Sequence, residues 1–395
     1  MVQTRVWTVA VVVVPEFAGG RALFQGSSMV LAAAGVEVIS IRQPIDVAEE
    51  TLRRMNVDGI LVPGWRATEL AAAHRITPVV VSTIQRSLPL AATVAVDNDE
   101  VGAMAAEALM RRGLSRLLFV TFNREGDSEI RFEGFRRTGE GGGARVERVY
   151  VPGVYVVEER RAVTEQVMEG VGRFGGDGGG GGMGPVGVLA FNDYVGVAVM
   201  RVARDNGLSV PGDLFVVGID DDADECNAVR PTLSSMDLNY RQMGRRAGEM
   251  ILDMLRARAD GVAEEGFRCL RVRPAGIVER ESTRGVATTD PVLAEAMGFL
   301  RAHATRVVTA EEVAEHVGRS RRWLDGSMKA AFGRTAAEEV MQLRLEHAAR
   351  LLRDPAQHLG AVSSACGFKA LSHFCRAFKS RFRATPTQWR GERTN

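Results

Sequence analysis

Two stretches decide how this chain is read: GRSRRWLDGSMKAAFGRTA at 318–336 and GFKALSHFCRAFKSRFRATP at 367–386. In the first, Thr309 and Glu312 have capping-box spacing ahead of a short helix. Gly318 suits a tight turn, and Ser320 caps a second helix to Phe332. Leu324, Met328 and Phe332 recur every four residues and form its buried side, with Arg321, Arg322, Asp325 and Lys329 off it. Phe374, Phe378 and Phe382 repeat that stripe 50 residues later, with Lys369, Leu371, Ser372, His373, Arg376 and Lys379 around it. Helix, turn and second helix with a basic outer face is a helix-turn-helix, whose second helix fits a DNA major groove. Between the copies, 337–354 reads as one amphipathic helix with Leu343, Leu351 and Leu352 inward. It is suited to hold two reading heads apart.

Charge supports two kinds of part. From Gly285 onward Lys+Arg exceed Asp+Glu by six, whereas residues 1–284 carry a net −5. The only lysines are Lys329, Lys369 and Lys379, all in the repeated segments. A basic tail on an acidic body points to one part that meets a polyanion and one that does not.

Ahead of that tail, short apolar runs alternate with helical patterns. Candidate strands are 6–14, 36–41, 59–62, 79–81, 116–120, 146–151, 186–190 and 214–219; candidate helices include 101–112, 195–206 and 241–257. Strands apolar on both faces, alternating with helices, predict a doubly wound α/β architecture, and their number predicts two lobes. In such sheets ligands sit beyond the carboxyl ends of strands, where Asn192 and Asp220 fall. Phe17 and Trp65 follow two further strands and suit either ring stacking or plain packing. Asp221 and Asp222 read as a helix cap. Residues 172–184, GRFGGDGGGGGMG, lack the Gly-Lys-Ser/Thr of a phosphate loop and read as a surface loop, and GEGGG at 139–143 reads as a turn.

Four cysteines without CxxC spacing predict reduced thiols, not disulfides or a zinc site. The opening apolar run, 6–14, is too short to span a membrane and is not followed by a cleavage signal, so a cytoplasmic protein is expected. No catalytic motif is found; of the six histidines, only His74 lies in the front part. A non-enzyme without cofactor or metal is expected. The polar stretch 279–290 reads as a linker, ending at an Asp290 cap with Pro291 at the first helical position. The expected domains are therefore 1–278, a two-lobed ligand-binding part, and 291–395, an all-α DNA-binding part.

The repeated segments, with QLRLEHAARLL (342–352) and CGFKALSHFCRAFKSRFRATPTQWR (366–390), resemble the AraC/XylS family DNA-binding domain over about 105 residues. The resemblance implies seven helices, two helix-turn-helix units and base contacts from Arg321, Arg322, Asp325, Leu371, Ser372 and Arg376. Any one arginine there suits a phosphate as well as a base edge. Gly326 and Arg383 depart from the family pattern. In the front part, VAVDNDEVGAMAAEALMRRG (94–113), RFEGFR (131–136) and GVLAFNDYVGVAVMRVARDNGLSVPGDLFVVGIDD (187–221) resemble the effector domain of the LacI/GalR repressors. That implies a periplasmic-binding-protein-like fold, with Arg131, Asn192 and Asp220 at ligand-contacting positions. YRQMG (240–244), RRAGEMI (245–251) and VRPAGIVERESTRGVATTDPVLAEAMGFLRAHA (272–304) resemble the junction of the xylose-operon transcription activators. This last resemblance implies a dimeric activator that binds double-stranded DNA, responds to a monosaccharide such as D-xylose and works with RNA polymerase. An effector that is not a sugar, or no effector, remains the alternative.

Overall fold

A computed structural model describes residues 6–13, 19–42, 48, 50–52, 54–63, 79–82, 92–122, 124, 126–152, 159–174, 185–262, 269–285, 290–303, 308–352, 357–382 and 384–394. The glycine-rich run 175–184, Phe17, Trp65 and Arg383 lie outside them. The chain divides into two compact units, one built almost wholly from residues before Arg284 and one mainly from 284–395.

The first unit holds two six-stranded sheets, one per lobe. The first runs β11 (Cys269–Val272), β5 (Ala92–Val96), β4 (Val79–Ser82), β3 (Gly59–Pro63), β1 (Thr8–Val12), β2 (Glu37–Ile41), all pairs parallel. The second runs β12 (Gly276–Val278), β10 (Ser234–Asp237), β9 (Leu214–Ile219), β8 (Val186–Ala190), β6 (Arg116–Thr121), β7 (Arg145–Tyr150), parallel except for β10 against β12. Every residue of β5, β8 and β9 is buried. Parallel strands covered on both faces need such continuous apolar sequence. Eight of these strands match the sequence expectation; β5, β10, β11 and β12 were not foreseen.

The chain passes between lobes at three points: after β5, after β10 and between β11 and β12. Two backbone bonds pin these crossings, Asp97 N to Val272 O and Ala275 N to Asp237 O, both 2.8 Å. Helix α1 (Gly20–Ala33) lies in the first lobe. Helix α2 (Asn98–Met110) packs on α3 (Asp127–Gly141) in the second. Their contact is so close that a Cβ at Gly102 would stand 2.0 Å from Arg131 O, and one at Gly134 2.2 Å from Asp99 O. α3 continues through Gly139–Gly141, so the turn expected at 139–143 begins only after Gly141. α4 (Arg160–Gly172) and α5 (Asp193–Asp205) complete the flanks, and α6 (Ala223–Asn227) is capped by Asp222 as expected. α7 (Tyr240–Ala259) crosses back to lie on α1.

The head of the expected 279–290 linker is built into the second lobe. Ser282 Oγ donates to Val216 O at 2.6 Å, Thr283 Oγ1 meets Ser234 Oγ at 2.7 Å, and Glu281 accepts from Thr232 N at 2.8 Å.

The second unit shows seven helices after the junction among the described residues: α8 (Pro291–His303), α9 (Ala310–His316), α10 (Arg321–Phe332), α11 (Ala336–Leu351), α12 (Leu359–Ala365), α13 (Leu371–Phe382) and α14 (Pro386–Thr394). Asp290 caps α8, and Thr309 with Glu312 forms the expected capping box. Thr335 and Thr385 make equivalent turns with Glu338 and Gln388. Leu324, Met328 and Phe332 form one core with Ala336 and Val340. Phe374 and Phe378 form another with Leu345, Ala348 and Leu352. α11 therefore serves both cores. Of the expected inward leucines, Leu352 is buried, while Leu343 and Leu351 are partly so.

The Gly134 contact sets a stability test. Gly134→Ala forces a Cβ against Asp99 O and is expected to cost about 1–3 kcal/mol. Gly141→Ala, with open space around it, should be neutral or stabilise by up to ~1 kcal/mol. Urea midpoints of the two variants check this, and equal midpoints would refute the close contact.

Candidate ligand cleft and nucleic-acid interface

In the second sheet, chain order reverses between β6 and β8: β7 lies on one side of β6, and β8, β9 and β10 follow on the other. Connections that leave in opposite directions open a crevice at the strands' carboxyl ends. Arg131, on the helix after β6, enters there. It is 2% exposed, donates from Nε to Asn98 Oδ1 at 2.8 Å and from Nη1 to Phe191 O at 2.9 Å, and lies over the Phe191 ring at 5.0 Å. Its Nη2 has no hydrogen-bond acceptor and stands 3.9 Å from Asp127 Oδ2. A buried guanidinium donor without an acceptor is costly, and it is complementary to an oxygen-rich ligand.

Asp220 follows β9 at φ 110°, outside the ordinary range for a side-chain-bearing residue. Asp221 follows at φ 53°. Burial pushes the Asp220 carboxyl up to about 6, against the pull of Arg131. Its Oδ1 accepts the Tyr240 hydroxyl at 2.7 Å. Tyr240 opens α7, which packs on the first lobe, so this bond links the lobes. Gly19 lies against the Tyr240 ring, where a Cβ would come within 2.3 Å. Tyr240 falls within the junction motif YRQMG, and nothing local in the sequence says that it meets Asp220.

Asn192 sits at the same sheet edge, but its Oδ1 caps α5 by accepting from Val195 N at 3.0 Å. One oxygen is thereby committed to the fold. Asp193 beside it is 1% exposed and was not foreseen. Burial, then the charge of Asp220, pushes its carboxyl up to about 8, although it accepts from Ser235 Oγ at 2.5 Å and Asp222 N at 2.8 Å. Asp221 pairs with Arg280 at 2.6 Å and does not share the capping role of Asp222. Arg131, Asn192 and Asp220 thus come to one crevice. In the first sheet the order reverses between β1 and β3; Phe17 and Trp65 come after these strands in sequence but are not among the described residues.

In the second unit, α9, the turn at Gly318 (φ 63°) and α10 form one helix-turn-helix; α12, the turn at Gly367 (φ 74°) and α13 form another. Arg322, Lys329, Ser372, His373, Arg376 and Lys379 are exposed, and Leu371 is 45% exposed, unusual for an apolar side chain on a helix outer face. Arg321 is exposed but engaged, pairing with Glu311 and, at 3.4 Å, with Asp325. Asp325 also accepts from Ala336 N at 3.2 Å, at the start of α11. Gly326 is exposed with open space around it.

Comparison with known proteins matches residues 106–283 to a periplasmic binding protein-like domain and residues 313–392 to a helix-turn-helix domain. The chain thus joins a periplasmic binding protein-like domain to a helix-turn-helix domain. The xylose operon regulatory protein of Escherichia coli strain K12 is 29% identical over 204 residues, 52% of this chain and 51% of that protein. The transcriptional repressor PurR of Vibrio atlanticus is 23% identical over 239 residues, 59% and 66% of the two chains. The chain thus spans about half the length of the xylose operon regulators it matches. Among solved structures, the xylose-binding transcription activator XylR aligns over 98% of both chains at TM-score 0.59 and 22% identity. A LacI family regulator from Enterococcus faecium with bound ribose aligns over 71% of this chain and 100% of that one at TM-score 0.53 and 18% identity. These likenesses establish the fold and the order of the binding-protein-like and helix-turn-helix domains. No helix among the described residues is long and apolar enough to cross a membrane.

The pH dependence of the binding-protein-like domain follows from its raised carboxyls. A carboxyl raised in the fold favours the protonated state. Its stabilisation is complete below the ordinary value near 4 and is lost as pH rises through the folded value. Stability without added ligand should fall from pH 4 to 8, and between 6 and 8 Asp193 should supply a slope approaching ~1.4 kcal/mol per pH unit. Asp193→Asn should flatten that upper segment; denaturant titrations at several pH values, with the slope retained in the variant, would overturn the assignment.

Proposed function

We propose that the protein is a transcription regulator whose α/β unit binds a monosaccharide such as D-xylose between its lobes and whose two helix-turn-helix units bind double-stranded DNA. The observation that carries the reading is Arg131: a buried guanidinium whose Nη2 has no hydrogen-bond acceptor, in the crevice that also receives Asp220, in a chain that carries two helix-turn-helix units. Asp220 accepts ligand hydroxyls opposite the Arg131 donor, the pairing a polyol requires. Asn192, at the same sheet edge, contributes a polar amide. From their sequence positions after strands, Phe17 and Trp65 are proposed to stack on the sugar ring. The similarity to xylose operon regulators favours a pentose.

The lobes of the unit, 1–278, close on the sugar. Closure changes the state of the junction, 279–290, and the domain at 291–395 then reaches DNA on different terms. Such coupling requires that the sugar bind the two states unequally. The regulator acts in the cytoplasm, as a homodimer on repeated half-sites beside a promoter, where it activates by contact with RNA polymerase. It needs no cofactor or resident metal and catalyses no reaction.

Calorimetric titration with D-xylose, then a panel of other pentoses and hexoses, tests the cleft. D-Xylose should bind, with Asp220→Ala and Arg131→Lys each weakening binding at least about tenfold, as expected when a charged hydrogen-bond partner is lost. Silence across the panel would move the effector to a non-sugar, and unchanged binding in Asp220→Ala would remove that residue from the site. Duplex DNA binding by the same variants should survive.

A further inference from the structure

The two helix-turn-helix units share an apolar plan and differ sharply in charge. From Thr309 to Thr335 the first has five Arg+Lys and four Asp+Glu; from His358 to Thr385 the second has five Arg+Lys and no acid. The structure sharpens this contrast. In the first unit Arg321 is held by Glu311 and Asp325, and Arg334 pairs with Glu339. Hydrogen bonds from Thr335, and to a lesser degree the nearby charges of Lys329 and Arg334, hold the Glu338 carboxyl below its ordinary range. Arg319 lies over the Trp323 ring at 5.5 Å, leaving Arg322 as an exposed cation on α10 with no partner among the described residues. Gly326 adds no side chain to that face. In the second unit Lys369, Arg376 and Lys379 are exposed and have no acidic partner among the described residues, while Arg381 rests on the Phe382 ring at 5.3 Å.

Exposed ion pairs are weak, so Arg321 can leave its partners for a phosphate. Glu311 and Asp325 would then remain near that phosphate with no cation between, and the exchange gains little. Phosphate neutralisation with counterion release supplies most sequence-independent affinity for duplex DNA.

Resting on the DNA-binding reading above, we propose that the two units divide the work unequally. The second is the electrostatic anchor, which grips phosphates through Lys369, Arg376 and Lys379. The first is near neutral and engages through Arg322, restrained by Glu311 and Asp325. The first half-site is accordingly occupied on shape and base contacts, and its occupancy is more sensitive to sequence than to salt.

The test uses the full chain, a fluorescent mixed-sequence duplex of about two helical turns and anisotropy titrations across a range of KCl concentrations. Arg376→Gln with Lys379→Gln should reduce the magnitude of the log K against log salt slope by about 2 and weaken binding at least about tenfold at low salt. Arg321→Gln with Arg322→Gln should reduce the slope by at most about 1. Glu311→Gln should strengthen binding a few-fold by leaving Arg321 for the duplex. Equal slopes for the two double variants, or weaker binding by Glu311→Gln, overturns the proposal. Because Glu311 is exposed, that single variant keeps the test sound if a double variant folds poorly. Failure of the unaltered protein to bind any duplex at low salt would instead overturn the DNA-binding reading itself.

Discussion

A guanidinium buried to 2% exposure is expensive, and the second lobe is arranged around that cost. Arg131 is almost wholly shielded from bulk water, so most of its donors must be met by fixed groups. Asn98 from the crossing helix and the Phe191 carbonyl at the end of β8 meet two of them. Those two partners lie on different chain segments, so the arginine ties the crossing to the sheet edge. The helix that carries it must approach α2 at backbone distance, which only Gly102 and Gly134 allow. Asp220 is then drawn into the same low-dielectric crevice, held by the arginine's charge and by the Tyr240 hydroxyl.

That arrangement also places the polar groups of the second lobe in series. Asp220 is adjacent to Asp221, Asp221 grips Arg280, and Arg280 begins the segment whose Ser282 and Thr283 are bonded into β9 and β10. The two aspartates hold positive φ, a conformation kept only where surroundings impose it. A change at Asp220 therefore meets the chain leaving the domain within two residues.

Legibility in the sequence followed the physics of each element. The apolar strands and the four-residue stripes of α10 and α13 were readable because burial of the whole element demands them. Caps at Thr309, Ser320 and Asp290 were readable because they act within three residues. β10 was missed because Ser234 and Ser235 read as polar, yet both are buried and satisfied by Thr283 and Asp193 across the fold. β11 and β12 are too short to show a period. Of the cleft residues, Asp220 was legible from its place at a strand's carboxyl end and Arg131 by resemblance, whereas Asp193 and Tyr240 depend on partners 42 and 20 residues away. The engagement of Arg321 by Glu311 was equally hidden, since it spans the turn between two helices.

The shared helix Ala336–Leu351 gives its Ala336 and Val340 to one core and Leu345 and Ala348 to the other. Each residue of an α-helix advances 100° and 1.5 Å. The two recognition helices are thus locked in angular phase by one rigid shaft. A single residue inserted between Val340 and Leu345 would turn one head a quarter-circle out of step with its twin, while an insertion of seven would nearly restore the phase and lengthen the span by ~10 Å. On the proposed DNA-binding reading, the groove spacing that the two units can meet is therefore written in the residue count of this one helix.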